Sequence, residues 1–387
     1  MLKMKFDFRD IFTAPRMAFS IQRIWIQFAG MFVGYLGYLV FTYLSFVSCG
    51  YDIPLLWQKY GLLPCLYVSA EAYPWYAWVL FIVGSLIFFL AYLVANTAVA
   101  RAVYMIGKGN SFYSWKESYA FAFRKFWSVL MTPVSLVLLI AFLVLGSLVV
   151  GLLGKIPFIG ELGVSLFTPL WFVSALLIFF FAIILMVSLF LVPAIIATTD
   201  EDAFEAVFQV FSVTWSKPWS LIFYQALSLA LAVVSFGLFA IAAKTSIVIM
   251  NNLFMGFMGG DFINLANNGQ AMVQSWTIML QGPLTAIFGD LSPVMFFNNA
   301  FSMIPVSDLG ISVVISSYIY AISLLFIGGW VISYGFSTFT SGNTIYYLVL
   351  RQQKDQENLL ERRDAEEEED VIEEAEEKEA SPEEPEK

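Results

Sequence analysis

The sequence predicts an all-α fold: a polytopic transmembrane helical bundle of about six spans, with amphipathic interfacial helices and a disordered acidic C-terminal tail. Three observations carry this. Mean hydropathy is +0.77, and 59% of residues are hydrophobic against 13% charged, far from the composition of a soluble domain. The apolar runs are long enough for crossings of ~20 residues, and they are almost free of charge. Basic residues concentrate in an N-terminal group (Lys3, Lys5, Arg9, Arg16, Arg23) and in residues 101–125, the one-sided pattern of cytoplasmic segments.

Each element follows from local pattern. Residues 1–23 interleave Phe6, Phe8, Ile11, Phe12, Met17 and Phe19 with Lys5, Arg9 and Arg16, which suits an interfacial helix or hairpin broken at Pro15. A helical membrane domain then covers 24–350, with spans expected over 24–47, 77–99, 128–153, 164–192, 219–241 and 311–337. Tyr73, Trp75, Tyr76 and Trp78 mark the interface before the second span. Residues 112–127 form an amphipathic piece in the basic loop, and GKIPFIGEL reads as a tight turn between spans three and four. Pro193 is expected to end the fourth span.

Residues 200–217 read as an amphipathic helix capped by Asp200 or Asp202, with Phe204, Val207, Phe208 and Phe211 as its apolar stripe. Residues 245–308 are apolar but broken, rich in Met, Phe, Asn and Gly. They suit membrane-hugging helices on the outer face, with a re-entrant pair as the alternative. The tail, 351–387, is expected to be helical over 352–363 and disordered beyond.

Charge sorts with the spans. Residues 1–350 hold 14 basic and 13 acidic side chains, and residues 351–387 hold 6 and 17, so the body is nearly neutral and the tail carries the acidity. Basic residues counted segment by segment run 5, 1, 5, 1, 1, 1 and 6. This places both termini on the cytoplasmic side. The neutral body and acidic tail also exclude a nucleic-acid partner.

The chain has no histidine, which excludes Ser-His and Cys-His nucleophile pairs and His-ligated metal or haem. No cofactor is expected, and no enzymatic activity. The spans as drawn contain no ionisable residue well inside them, against an ion-coupled pump.

Three local features remain. Cys49 and Cys65, the only cysteines, fall in one outer loop, where a disulfide would contribute ~3 kcal/mol; the alternative is two apolar thiols near the interface. Asp202, Glu205, Phe208 and Trp215 form a partner-binding surface on the 200–217 helix, with its acids serving as caps rather than cation ligands. Ser337, Thr340 and Asn343, within the polar run 333–344, are the best lining for a polar path, against the more frequent use of such residues in hydrogen bonds between helices. The partners expected are the lipid bilayer and a membrane protein or a second copy of the chain.

The segments FTAPRMAFSIQRIWIQFAG, LVPAIIATTDEDAFEAVFQVFSVTWSKPWSLIFYQAL and STFTSGNTIYYLVLRQQKDQ together resemble a family of multi-span bacterial inner-membrane proteins of uncharacterised activity. More distantly, the central segment is similar to the membrane domain of glycerophosphoryl diester phosphodiesterases. The resemblance implies a helical membrane fold and no catalytic residue, since nothing like the phosphodiesterase's catalytic barrel is present. Function is then expected to be structural, in supporting a membrane assembly. The alternative is a transporter or channel for a lipid or small apolar solute.

Overall fold

The computed structural model describes residues 4–68, 73–110, 112–280, 286 and 310–362. Among these residues there are helices, turns and no strand. Six helices are long and apolar enough to cross a membrane: α2 (Ile21–Ser48), α4 (Trp75–Lys108), α6 (Phe126–Leu153), α8 (Thr168–Thr199), α10 (Pro218–Met258) and α12 (Ile311–Asp355). The chain is a multi-pass membrane protein. Shorter pieces lie between them: a 3-10 helix at Phe8–Thr13, α1 (Ala14–Ala18), α3 (Ile53–Tyr60), α5 (Trp115–Arg124), α7 (Ile159–Leu166), α9 (Ala203–Ser216) and α11 (Gly260–Trp276).

Prolines and helix ends account for most departures from expectation. Pro15 does not break the N-terminal segment; it falls in the first turn of α1, where its missing N–H is harmless. Pro193 lies inside α8, which continues to Thr199. The backbone there loses a hydrogen bond, and Asn343 Nδ2 donates to the nearby Phe190 carbonyl at 3.2 Å. The helix of the last span ends at Asp355, and Gln356 turns the chain at φ 57, so the expected helix over 352–363 stops early. Beyond residue 362 the acidic tail lies outside the described residues.

One signature recurs at helix starts. Asp7 with Asp10 and Ser114 with Glu117 form reciprocal capping boxes, and Asp202 accepts from Glu205 N at 3.0 Å. Each box satisfies backbone donors that the first helical turn leaves free. Each is followed by two spanning helices, so the chain repeats one pattern three times: a capped amphipathic piece, then two crossings.

The chain divides into two compact units. The first comprises residues 1–14, 96–228 and 340–387. Within it α6, α8 and α9 pack on one another, and Ala100, Phe121 and Ala197 form a small core. The second comprises residues 15–95 and 229–339. There α2 and α4 approach closely, because Gly34, Gly37 and Gly84 present no side chain to Ala91, Ile87 and Phe41. A second core gathers Ala240, Ile247, Val273, Ala321, Leu324 and Val331 from α10, α11 and α12.

Candidate functional site

The polar run of α12 is buried: Ser337 is 0%, Thr340 3% and Asn343 3% exposed. Burial to this degree leaves no room for water against these side chains, so they do not line an open path. In the first unit Thr340 and Asn343 are used between helices. Thr340 Oγ1 donates to Asn96 Oδ1 at 3.0 Å. Asn343 Oδ1 accepts from Ser228 Oγ at 3.3 Å. Tyr346 OH donates to Gln225 Oε1 at 2.6 Å. Gly342 makes the crossing tight, since a β-carbon there would overlap Ser228. Polar side chains holding helices together in lipid are the expected arrangement where small residues allow close approach.

Arg101, expected in the basic loop after the second span, belongs to α4. α4 continues nine residues past the expected boundary at 99, to Lys108, and Arg101 is 0% exposed within it. Its Nη1 donates to the Ala197 carbonyl at 3.0 Å, and its guanidinium stacks over Phe121 at 4.2 Å. The aromatic face and the carbonyl supply partial negative charge to the buried cation.

The surface assigned to α9 splits in two. Its acids are used locally: exposed Asp202 caps the helix, and half-buried Glu205 accepts from Gln209 Nε2. Its aromatics turn outward, with Phe204 80%, Phe208 58% and Trp215 70% exposed. The buried face is instead Ala206, Gln209, Val210, Val213 and Thr214. Trp215 packs edge-on against Phe180 at 5.5 Å, and Phe180 lies roughly 28 Å along the helix from the end of α8. α9 therefore runs back along α8 rather than across the membrane surface. The absence of charge in α9 after Glu205 permits this.

The end of α12 carries an ionic cluster. Arg351 pairs with Asp355 and Glu357 at 2.9 Å each and donates to Gln209. Residues 356–362 fold back as a strap: Leu359 and Leu360 are buried, Tyr104 OH donates to the Leu359 carbonyl at 2.8 Å, and Arg362 pairs with Glu201 at 3.3 Å. Burial pushes the Glu201 carboxyl above its ordinary range, partly opposed by the hydrogen bond from Arg362. Lys125 pairs with Asp200 at 2.7 Å.

The cysteines are both free, so the expected disulfide is not formed. Cys49 packs against the cluster of Phe46, Leu56, Tyr60 and Leu66. Cys65 follows Pro64, whose carbonyl accepts the hydroxyl of Tyr38.

That same contact packs the turn after α3 along the side of α2. Tyr35 OH donates to the Leu62 carbonyl at 2.6 Å, and Tyr43 OH to the Gly61 carbonyl at 2.6 Å. Tyr35 and Tyr38 occupy the middle of α2, so the turn reaches ~15 Å below the Ser48 end. α11 meets it there: Leu62 N donates to the Trp276 carbonyl at 2.7 Å, and Trp57 packs against Trp276. Of residues 245–308, the described part is the end of α10 and α11, and α11 packs against α10 and α12 through Val273. Residues 281–285 and 287–309 lie outside the described residues.

Sequence reasoning missed this loop because its hydrogen-bonding atoms are backbone. The three tyrosines spaced along one apolar helix were the signal that could have found it. Comparison with family models, with curated proteins and with solved structures gives no match to this chain.

Proposed function

We propose that this chain is a non-enzymatic integral membrane protein that supports a membrane assembly, held in a bacterial inner membrane with both termini cytoplasmic. The observation that supports this best is the α6–α8 hairpin. Leu138, Phe142, Leu145, Val149 and Leu152 are each 50% exposed or more and recur at the 4-3-4-3 spacing of an interhelical seam. On α8, Phe172, Leu176, Phe179 and Met186 are likewise 50% exposed or more. With the outward aromatics of α9, this forms a lateral apolar face suited to the spanning helices of another membrane protein or of a second copy. The resemblance to inner-membrane proteins fits the same reading, and the charge pattern supports the orientation.

Purification in gentle detergent followed by native mass spectrometry tests the proposal. The expected result is a stoichiometric partner or homo-oligomer, lost in the Phe142→Ala/Phe179→Ala variant while the protein stays monodisperse. A lone monomer at full yield overturns it. The alternative, transport of a lipid or small apolar solute, loses the support it drew from the polar run of α12, which is buried in packing.

A further inference from the structure

We propose that the cavity at the tip of the α6–α8 hairpin holds one acyl chain of a phospholipid whose zwitterionic head group, of the ethanolamine type, lies between Lys155 and Glu161. The cavity measures about 340 Å³, within the range of small-ligand sites. Leu153 of α6, Ile159 and Val164 of α7, and Phe167 and Trp171 at the start of α8 contribute its walls. The only polar side-chain atom among the lining residues, Trp171 Nε1, already donates to the Val164 carbonyl at 3.1 Å. Hydrocarbon suits such a space, and a polar solute does not.

Glycines shape it. A β-carbon on Gly160 would come within 2.5 Å of the Leu153 carbonyl oxygen, so α7 starts hard against the end of α6. Gly163 also lines the cavity, yet nothing lies within 4 Å of the position its β-carbon would take. Packing within the chain gives no reason for glycine there, and only proline is a weaker helix former. What Gly163 does is leave the cavity open.

The surroundings point to lipid. Phe158, Ile159, Leu162 and Leu166 are exposed at this tip, a composition unsuited to water. Residues 126–199 contain just two charged side chains, Lys155 and Glu161, and both sit in the turn that closes the cavity. Lys155 lies between the lining residues Gly154 and Ile156, and Glu161 follows Gly160. Both are exposed, and neither side chain has a hydrogen-bond or ionic partner among the described residues. Two open charges of opposite sign beside an apolar cavity match a zwitterionic phospholipid, with its phosphate on Lys155 and its ammonium on Glu161. The lysine stem can carry its charge to phosphate depth. A partner helix would have to bring its own charge pair to the same edge.

Photolabelling tests this. Full-length protein in phosphatidylcholine nanodiscs receives a trace of phosphatidylethanolamine with a diazirine partway along one acyl chain, and adducts are located by peptide mass spectrometry. Matched probes carry a glycerol head group or, as diacylglycerol, no phosphate. Labelling is expected to concentrate in residues 150–171 over the other exposed faces of α6 and α8. The ethanolamine probe should lead the glycerol probe by about two- to fivefold, the scale of one exposed ion pair, with diacylglycerol lowest. Gly163→Leu, which fills the cavity and gives α7 a better helix former, should cut labelling severalfold. Lys155→Gln should lower both phospholipid probes towards diacylglycerol, and Glu161→Gln should remove the lead of the ethanolamine probe. Four results overturn the proposal: labelling spread evenly along α6 and α8, equal labelling by the three probes, no change in Gly163→Leu, or protein–protein crosslinks at the tip in place of lipid adducts, which would give the cavity to a partner or a second copy.

Discussion

The polar run of α12 and the turn after α3 are both held by hydrogen bonds to a neighbouring element, but they use different atoms. In the first, side chains meet side chains: Thr340 with Asn96, and Asn343 with Ser228. In the second, side chains meet backbone, as three tyrosines of α2 hold the carbonyls of a turn. A helix bonds its own backbone and can lose one side-chain contact with modest cost. The turn bonds only part of its backbone internally, Gly61 N to Trp57 O and Leu63 N to Tyr60 O, so the carbonyls of Gly61, Leu62 and Pro64 rely on the tyrosines. The loop should therefore be the more brittle of the two.

Substitutions can break or sharpen that contrast. The largest effect is expected for Gly61→Ala, which combines an unfavourable backbone angle with overlap against Trp276. A loss of about 3 kcal/mol or more is expected, read by thermal or denaturant unfolding in micelles. Gly342→Ala should cost less, ~1–3 kcal/mol, because its nearest obstacle is the Ser228 side chain, which can move. An equal loss at both sites would remove the distinction.

Asn343→Leu is expected to cost ~1–2 kcal/mol and Thr340→Val ~0.6 kcal/mol, the range for hydrogen bonds between helices in membranes. Tyr38→Phe should fall at or above the upper end of that range if a buried backbone acceptor is left without its donor. The smallest effect is expected for Glu201→Gln. Because burial raises the Glu201 carboxyl, the folded state holds its proton more tightly than the unfolded state. Stability from this group therefore falls as pH rises from the ordinary carboxylate range through the raised value. Glu201→Gln should flatten that dependence and leave stability near neutral pH unchanged or slightly higher, measured as unfolding midpoints from pH 4 to 8. A variant that unfolds at neutral pH would show the Arg362 pair to dominate instead.

These two regions also mark how far the sequence can be read. Six crossings were legible because length and hydropathy decide them, as was the capped start of the 200–217 helix, where Asp202 proved to be the cap. The polar residues of α12 were legible as polar; whether they face a lumen or a neighbour depends on rotation about the helix axis, which a mean hydropathy does not carry. For α9 the periodicity located the helix but inverted its faces. In lipid, large aromatics gain nothing by turning inward, and Gln209 must reach Arg351. Arg101 was legible as a member of the basic stretch, but not as a buried residue of α4, because the expected boundary was drawn at the last strongly apolar residue. The Cys49 and Cys65 pairing rested on sidedness alone, and both thiols are free.

The contact between Gln353 Nε2 and the Phe6 carbonyl, 2.9 Å across 347 positions, bears on how the molecule is made. The N-terminal segment leaves the ribosome first, yet this part of its seat comes from the last spanning helix. During synthesis, residues 6–13 must wait while five crossings insert, with the Phe6 carbonyl lacking the donor that Gln353 later supplies. Late, non-local closure of this kind is slow and leaves intermediates exposed. A chain released before α12 is complete should keep its earlier helices but carry a loose N-terminus, which makes that segment a sensitive marker of truncated or stalled copies.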